Sequence, residues 1–141
     1  MVTDSCPSCK ENRLNLFEDA FRQIADPTDG IISVTFDVVN CGIASPLWVR
    51  NKVGTSKYFF SMQVMNANYP VTALHVSTDG GSRWTETVRR DYNFFERDGG
   101  SSGGFGQDTV IVRVTCSNGR QVILPNVSMG ELAESRAPVN C

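Results

Sequence analysis

From residue 47 onward the chain is cut into short β-type runs, and this segmentation limits its fold more than any other feature. The runs cover residues 47–50, 58–66, 71–77, 83–88, 92–95, 109–116 and 121–124, and they are rich in β-branched and aromatic residues. Turn-forming residues separate them: Val53-Gly54-Thr55, Asn68-Tyr69-Pro70, Asp79-Gly80-Gly81, the glycine-rich stretch 98–106, and Ser117-Asn118-Gly119. Asparagine and glycine both tolerate positive φ, so Asn118-Gly119 predicts a hairpin with a type I′ turn. About seven short strands in under ~100 residues predict a two-sheet sandwich. The stretch 98–106 lacks the lysine of a phosphate-binding loop, and no helical pattern follows it. It reads as a flexible hairpin loop. Residues 129–141 read as a surface tail, which a Cys116–Cys141 bridge would tie back.

The first forty residues follow another pattern. Leu16, Phe17, Ala20, Phe21, Ile24 and Ala25 recur at helical spacing. Asn15 suits the N-cap, with Glu18 as its partner in a capping box, and Asp26-Pro27 ends the helix. Ile32, Val34, Phe36 and Val38 then alternate, which predicts a strand over 31–39.

Thirteen basic and fifteen acidic residues give a net charge of -2. A phosphate-neutralising surface needs a basic excess, so nucleic acid is not the expected partner. No stretch approaches the ~20 apolar residues of a membrane span. Five cysteines (Cys6, Cys9, Cys41, Cys116 and Cys141) and the single His75 do not pair into a zinc-type cluster, so no metal is expected. Disulfides are the better reading, and with them an oxidising, extracellular setting. The odd number leaves one cysteine without a partner in the chain. Met1-Val2-Thr3-Asp4 leads straight into polar sequence with no signal-peptide pattern. An incomplete N-terminus would reconcile both observations.

Period two in 58–66 puts Phe60, Met62 and Val64 on a core face, and Phe59, Ser61, Gln63 and Met65 opposite them. Phe59 therefore shares a face with polar residues, and Tyr58 starts the run at a sheet edge. Tyr92 and Trp84 stand in neighbouring runs. Rings aligned on a flat sheet can stack on the apolar faces of sugars. Burying ~50–70 Å² per ring contributes ~1–2 kcal/mol. Three rings give ~4–5 kcal/mol, a weak sub-millimolar affinity, so a row is required. Trp84 is expected in the core, since tryptophan is highly buried on average. Alternation alone leaves Tyr58, Phe59 and Tyr92 open between a wet and a buried place. His75, in an apolar strand with no nucleophile beside it, reads as structural. Asp4, Glu11, Glu18, Asp19 and Asp26 show no spacing that fixes a catalytic carboxyl pair. Asn126-Val127-Ser128 is a glycosylation sequon in a secreted chain.

Asp4-Ser-Cys-Pro-Ser-Cys9, Leu14-Asn15-Leu16, Ala20-Phe21 and Gly30-Ile-Ile-Ser-Val34 up to Cys41 resemble the end of the first domain of fungal and microbial expansin-like proteins. Lys57-Tyr-Phe-Phe-Ser-Met-Gln-Val-Met-Asn66, Pro70-Val71, Ser77-Thr-Asp-Gly-Gly81, Trp84 and Arg90-Asp-Tyr-Asn-Phe-Phe-Glu96 resemble their second domain. The resemblance covers nearly the whole chain. It implies a mainly β protein: the C-terminal part of a double-psi β-barrel with one short helix (1–42), a complete immunoglobulin-like β-sandwich that binds carbohydrate (43–128), and a tail (129–141). It implies non-catalytic binding to cellulose or a related plant cell-wall β-glucan, a wall-loosening role, a monomer, and no cofactor. The family's aromatic row falls on Tyr58, Phe59 and Tyr92, with Lys52 at a basic position beside it. In the barrel groove, Asp4 matches an acidic position. The family's key acid falls on Asn15, which can hydrogen-bond a sugar but cannot act as a general acid. Two rivals stand beside this reading: an endoglucanase sharing the barrel fold, and an immunoglobulin-like protein-interaction module. The second would bury Phe59 and Tyr92.

Overall fold

A computed structural model describes residues 6–98 and 103–141. These residues divide into two compact units, one within Asp4–Val39 and one within Asn40–Cys141.

The larger unit is all β. Its strands are β1 (Trp48–Asn51), β2 (Ser61–Met65), β3 (Val71–Ser77), β4 (Thr85–Glu86), β5 (Val88–Arg89), β6 (Phe95–Glu96), β7 (Thr109–Cys116), β8 (Gln121–Ser128) and β9 (Glu134–Arg136). They form two sheets, ordered β5-β6-β2-β1-β9 and β4-β3-β7-β8. The pairings are antiparallel throughout. The mainly β expectation holds.

The core comes from alternation. Leu47, Val49, Phe60, Met62 and Phe95 on the five-stranded side are buried with Leu74, Val76, Val112, Val114, Val122 and Leu124 on the four-stranded side. Phe105 closes one edge, its ring set edge-on to Phe60 at 5.1 Å between centroids.

The run 83–88, read as one strand, serves both sheets. It splits at Thr87: β4 pairs with β3 and β5 pairs with β6. Thr87 is buried at this corner, and its N–H (3.1 Å) and hydroxyl (2.6 Å) both donate to the Leu74 carbonyl. A strand that changes sheets needs such local satisfaction, because its ladder is interrupted there.

Two turn and tail expectations change. Gly119 has φ of 80° while Asn118 does not adopt positive φ, and the Gly119 N–H donates to the Cys116 carbonyl at 2.8 Å. The β7–β8 turn is thus a three-residue loop with a glycine bulge, not type I′. Residues 134–136, expected in a surface tail, form β9 and pair with β1. A Cys116–Cys141 disulfide fastens the segment that carries β9, and closing a loop of this length is worth ~3 kcal/mol in the chain-entropy picture. The second disulfide is Cys6–Cys9, and Cys41 is free and exposed.

The smaller unit departs further from expectation. Its helix α1 is four residues, Glu18–Phe21, and its N-cap is Phe17, with no side-chain cap bond. The expected capping box of Asn15 and Glu18 does not form; Glu18 instead pairs with Arg22 one turn on. Asp26 caps a 3-10 turn at Pro27–Asp29, accepting from the Thr28 N–H at 2.8 Å. The strand expected over 31–39 is not formed. Ile31, Val34, Phe36, Val38 and Val39 are exposed. A strand needs a neighbour to satisfy its backbone and cover its apolar face, and no ladder partner faces this stretch among the described residues.

Candidate functional site

The outer face of the five-stranded sheet gathers the residues of interest. Leu47, Val49 and Asn51 point inward and are buried. Alternation therefore sends Trp48, Arg50 and Lys52 outward. On β2 and its lead-in, Phe60 and Met62 are core, which turns Phe59, Ser61 and Gln63 outward, as alternation predicts. In the run toward β6, Phe95 is core, so Tyr92, Phe94 and Glu96 can share the outer side.

A tight hairpin presents the first aromatics. Ser56 and Phe59 exchange two backbone hydrogen bonds, 2.8 and 3.1 Å, which leaves Lys57-Tyr58 as its tip. Tyr58 is 70% exposed and Phe59 half-buried beside it. The Lys52 N–H donates to the Ser61 carbonyl at 2.9 Å, carrying the ladder to the base of this hairpin.

A second loop clamps the tip. The Gly106 N–H donates to the Lys57 carbonyl at 2.8 Å. Gly104 is buried against the Lys57 and Tyr58 backbone so closely that a Cβ there would overlap it. Arg97 donates to the Gly104 carbonyl and lays its guanidinium over the Phe105 ring at 5.2 Å. The flexible-loop expectation for 98–106 is thus corrected at Gly104, which packs tightly because glycine lets two backbones meet. Residues 99–102 lie outside the described residues.

Tyr92, 46% exposed, is held from two sides. The Lys52 ammonium lies 4.3 Å from its ring centroid and 5.6 Å from that of Phe94. The Tyr92 hydroxyl donates to Glu96 Oε1 at 2.8 Å. Glu96 is a buried hub, since Ser61 also donates to Oε1 at 2.9 Å and Arg90 pairs with Oε2 at 3.1 Å. Hydrogen bonding to Glu96 pushes the Tyr92 phenol up, so it remains a donor at neutral pH.

Burial pushes the Glu96 carboxyl up, but the hydrogen bonds from Tyr92, Ser61 and Arg90 outweigh it, and the net value is lowered. A carboxyl lowered in the folded state contributes stability above its unfolded value of about 4.3, and that contribution is lost as pH falls through the folded value. Glu96→Gln should therefore melt below the parent protein at pH 7, by about 1–2 kcal/mol. Thermal unfolding at pH 3 should show the gap narrowed. An equal gap at both pH values would mean that the ionised carboxylate does not hold this corner.

Lys52 and Tyr92 thus touch, while alternation puts Phe59 on the outer side of the same sheet and Tyr58 stands at the hairpin tip. Trp84 does not join them, and it is not core either. It leads into β4 of the other sheet, half-buried, with the Arg113 guanidinium 4.3 Å from its ring. Stacking on arginine replaces the expected burial. His75 lies on β3, in register with Glu86 and Arg113. Burial and then Arg113 hold its imidazole low, with Glu86 opposing, which keeps it neutral at neutral pH. Asn15 is exposed in the smaller unit, and Asp4 lies outside the described residues. Among the described residues no cluster of histidine, cysteine and carboxylates could hold a metal ion. The hub Glu96 and the ring of Phe94 were not singled out from sequence. The 92/94/96 alternation around core Phe95 was the signal that could have found them.

No family model matches the chain. It is 33% identical over 121 residues to Expansin-YoaJ of Bacillus subtilis (strain 168), covering 86% of this chain and 49% of that protein. The chain thus spans about half the length of this curated relative. The crystal structure of the apo expansin of Clavibacter michiganensis aligns with a TM-score of 0.74 at 25% identity, over 97% of this chain and 65% of that one. A mutant of the Clavibacter expansin in complex with cellohexaose aligns with a TM-score of 0.75 at 26% identity, again over 97% and 65%. By sequence and by fold together, this chain is an expansin-like protein.

Proposed function

We propose that this protein binds cellulose or a related plant cell-wall β-glucan without cleaving it, through Tyr58, Phe59 and Tyr92 with Lys52 alongside. The observation that carries the reading is the exposed Tyr92 ring, fixed between the Lys52 ammonium and the buried Glu96 hub. A ring held by such contacts loses little freedom when a sugar stacks on it, so more of the stacking energy reaches the affinity. The cellohexaose complex of the Clavibacter mutant supports the ligand class.

Residues 1–42 are the C-terminal part of an expansin-type double-psi barrel in this reading, residues 43–128 an immunoglobulin-like sandwich, and 129–141 its C-terminal extension. Asn15 belongs to the barrel groove, where its amide hydrogen-bonds a sugar but cannot act as a general acid. The protein acts outside the cell as a monomer, consistent with its disulfides. Wall loosening follows as the role. The protein-interaction rival required Phe59 and Tyr92 in the core, and the exposure of Tyr92 speaks against it.

Depletion of the purified protein from solution by insoluble cellulose tests the reading. Binding with no reducing sugar released from soluble β-glucan is expected. Sustained sugar release would replace it with the endoglucanase.

A further inference from the structure

Beside Tyr58, which forms part of its wall, lies an open, shallow cavity of about 450 Å³. It sits within the usual size range of small-ligand sites. Its lining residues include the exposed acids Asp108 and Glu131, the basic Lys57, and Ser56 and Ser128. The Lys57 ammonium lies 5.4 Å from the Tyr58 ring centroid. Neither the Asp108 nor the Glu131 carboxylate has an ion-pair or hydrogen-bond partner among the described residues.

The wall is built rather than loose. The amide of Asn51, itself buried, donates to the Ser128 carbonyl at 2.8 Å and to the Gly130 carbonyl at 2.7 Å. The Gly130 N–H donates to the Ser128 hydroxyl at 3.1 Å, and the Met129 N–H to the Asp108 carbonyl at 2.9 Å. Gly104 and Gly106 fix the Lys57–Tyr58 side.

The chemistry of this lining selects its ligand. Two carboxylates against one ammonium repel an anion. The ammonium and the lack of a third carboxylate make a poor cation site. An apolar ligand would strand the polar groups. A neutral polyhydroxylated ring satisfies them all: its hydroxyls donate to the carboxylates and accept from lysine and serine, and its apolar face meets a tyrosine.

Because Tyr58 belongs both to the row and to the cavity, a ring inside can be joined to a chain lying on the row. We propose that the cavity receives a single neutral sugar carried as a branch on the glucan main chain, so that the protein prefers a substituted glucan. This rests on the glucan-binding reading above.

Titration calorimetry separates the two. The ligands are cellohexaose and two equal-length oligosaccharides carrying xylosyl or galactosyl branches. The parent protein should bind at least one branched ligand about tenfold more tightly than cellohexaose. Asp108→Asn with Glu131→Gln should erase that preference and leave cellohexaose affinity unchanged, whereas Tyr92→Ala should weaken every ligand. Equal affinity of the parent for all three, or equal weakening of all three by the carboxylate changes, overturns the branch site and leaves the glucan reading standing. No binding of any ligand overturns both.

Discussion

Changing Tyr58, Phe59 and Tyr92 together to alanine is expected to abolish depletion of the protein by insoluble cellulose. Each ring that stacks on a sugar contributes about 1–2 kcal/mol. The three together account for about 4–5 kcal/mol, or roughly a thousandfold in affinity. Single changes should weaken binding roughly tenfold each, with Tyr92→Ala the most damaging because it also strips a hydrogen bond from Glu96. Tyr92→Phe separates these effects, since it keeps the ring and loses the hydroxyl. Trp84→Ala is the control: its ring stacks on Arg113 in the other sheet, so binding should persist while stability falls. Undiminished depletion by the folded triple variant would remove the aromatic row from the site.

Gly104→Ala should lower both stability and binding, though residue 104 is no part of the binding row. A Cβ there would overlap the Lys57 carbonyl and the Tyr58 backbone. Backbone cannot rotate aside as a side chain can, so either the loop lifts or the hairpin tip moves. Forced overlap of this kind costs about 1–3 kcal/mol. In a unit of this size each kcal/mol lowers the melting temperature by about 4–8 °C. Lifting the loop also releases Phe105 from Phe60 and frees the tip that presents Tyr58. Gly106→Ala is the comparison: its φ is 72° and space around it is open, so conformational strain of about 1–2 kcal/mol is the whole cost. A Gly104→Ala protein that melts and binds like its parent would refute the clamp.

Most of the sandwich was legible because its strands obey period two. Phe60 and Met62 are core and Phe59 turns outward, as the pattern in 58–66 required. The failures have specific causes. The run 83–88 is uniformly β-like, and nothing in it marks Thr87 as the point where the chain passes from one sheet to the other. β9, Glu-Ser-Arg, has no strand-like composition and exists because β1 offers it an edge. Residues 31–39 show the opposite case, with strong alternation and no neighbour to pair with. Trp84 was misjudged because average burial ignores a guanidinium that can cover a ring.

The sequence by itself determined the sandwich, its core face and the outward turn of Phe59, since alternation is a local property of the chain. Only the tertiary structure decided that Lys52, Tyr92, Phe94 and Glu96 meet. Their distances depend on β1, β2 and β6 being neighbours in one sheet, and backbone pairing between distant segments is not written in any one of them. The same holds for the glycine clamp on Tyr58: a glycine-rich run looks mobile until another backbone packs against it.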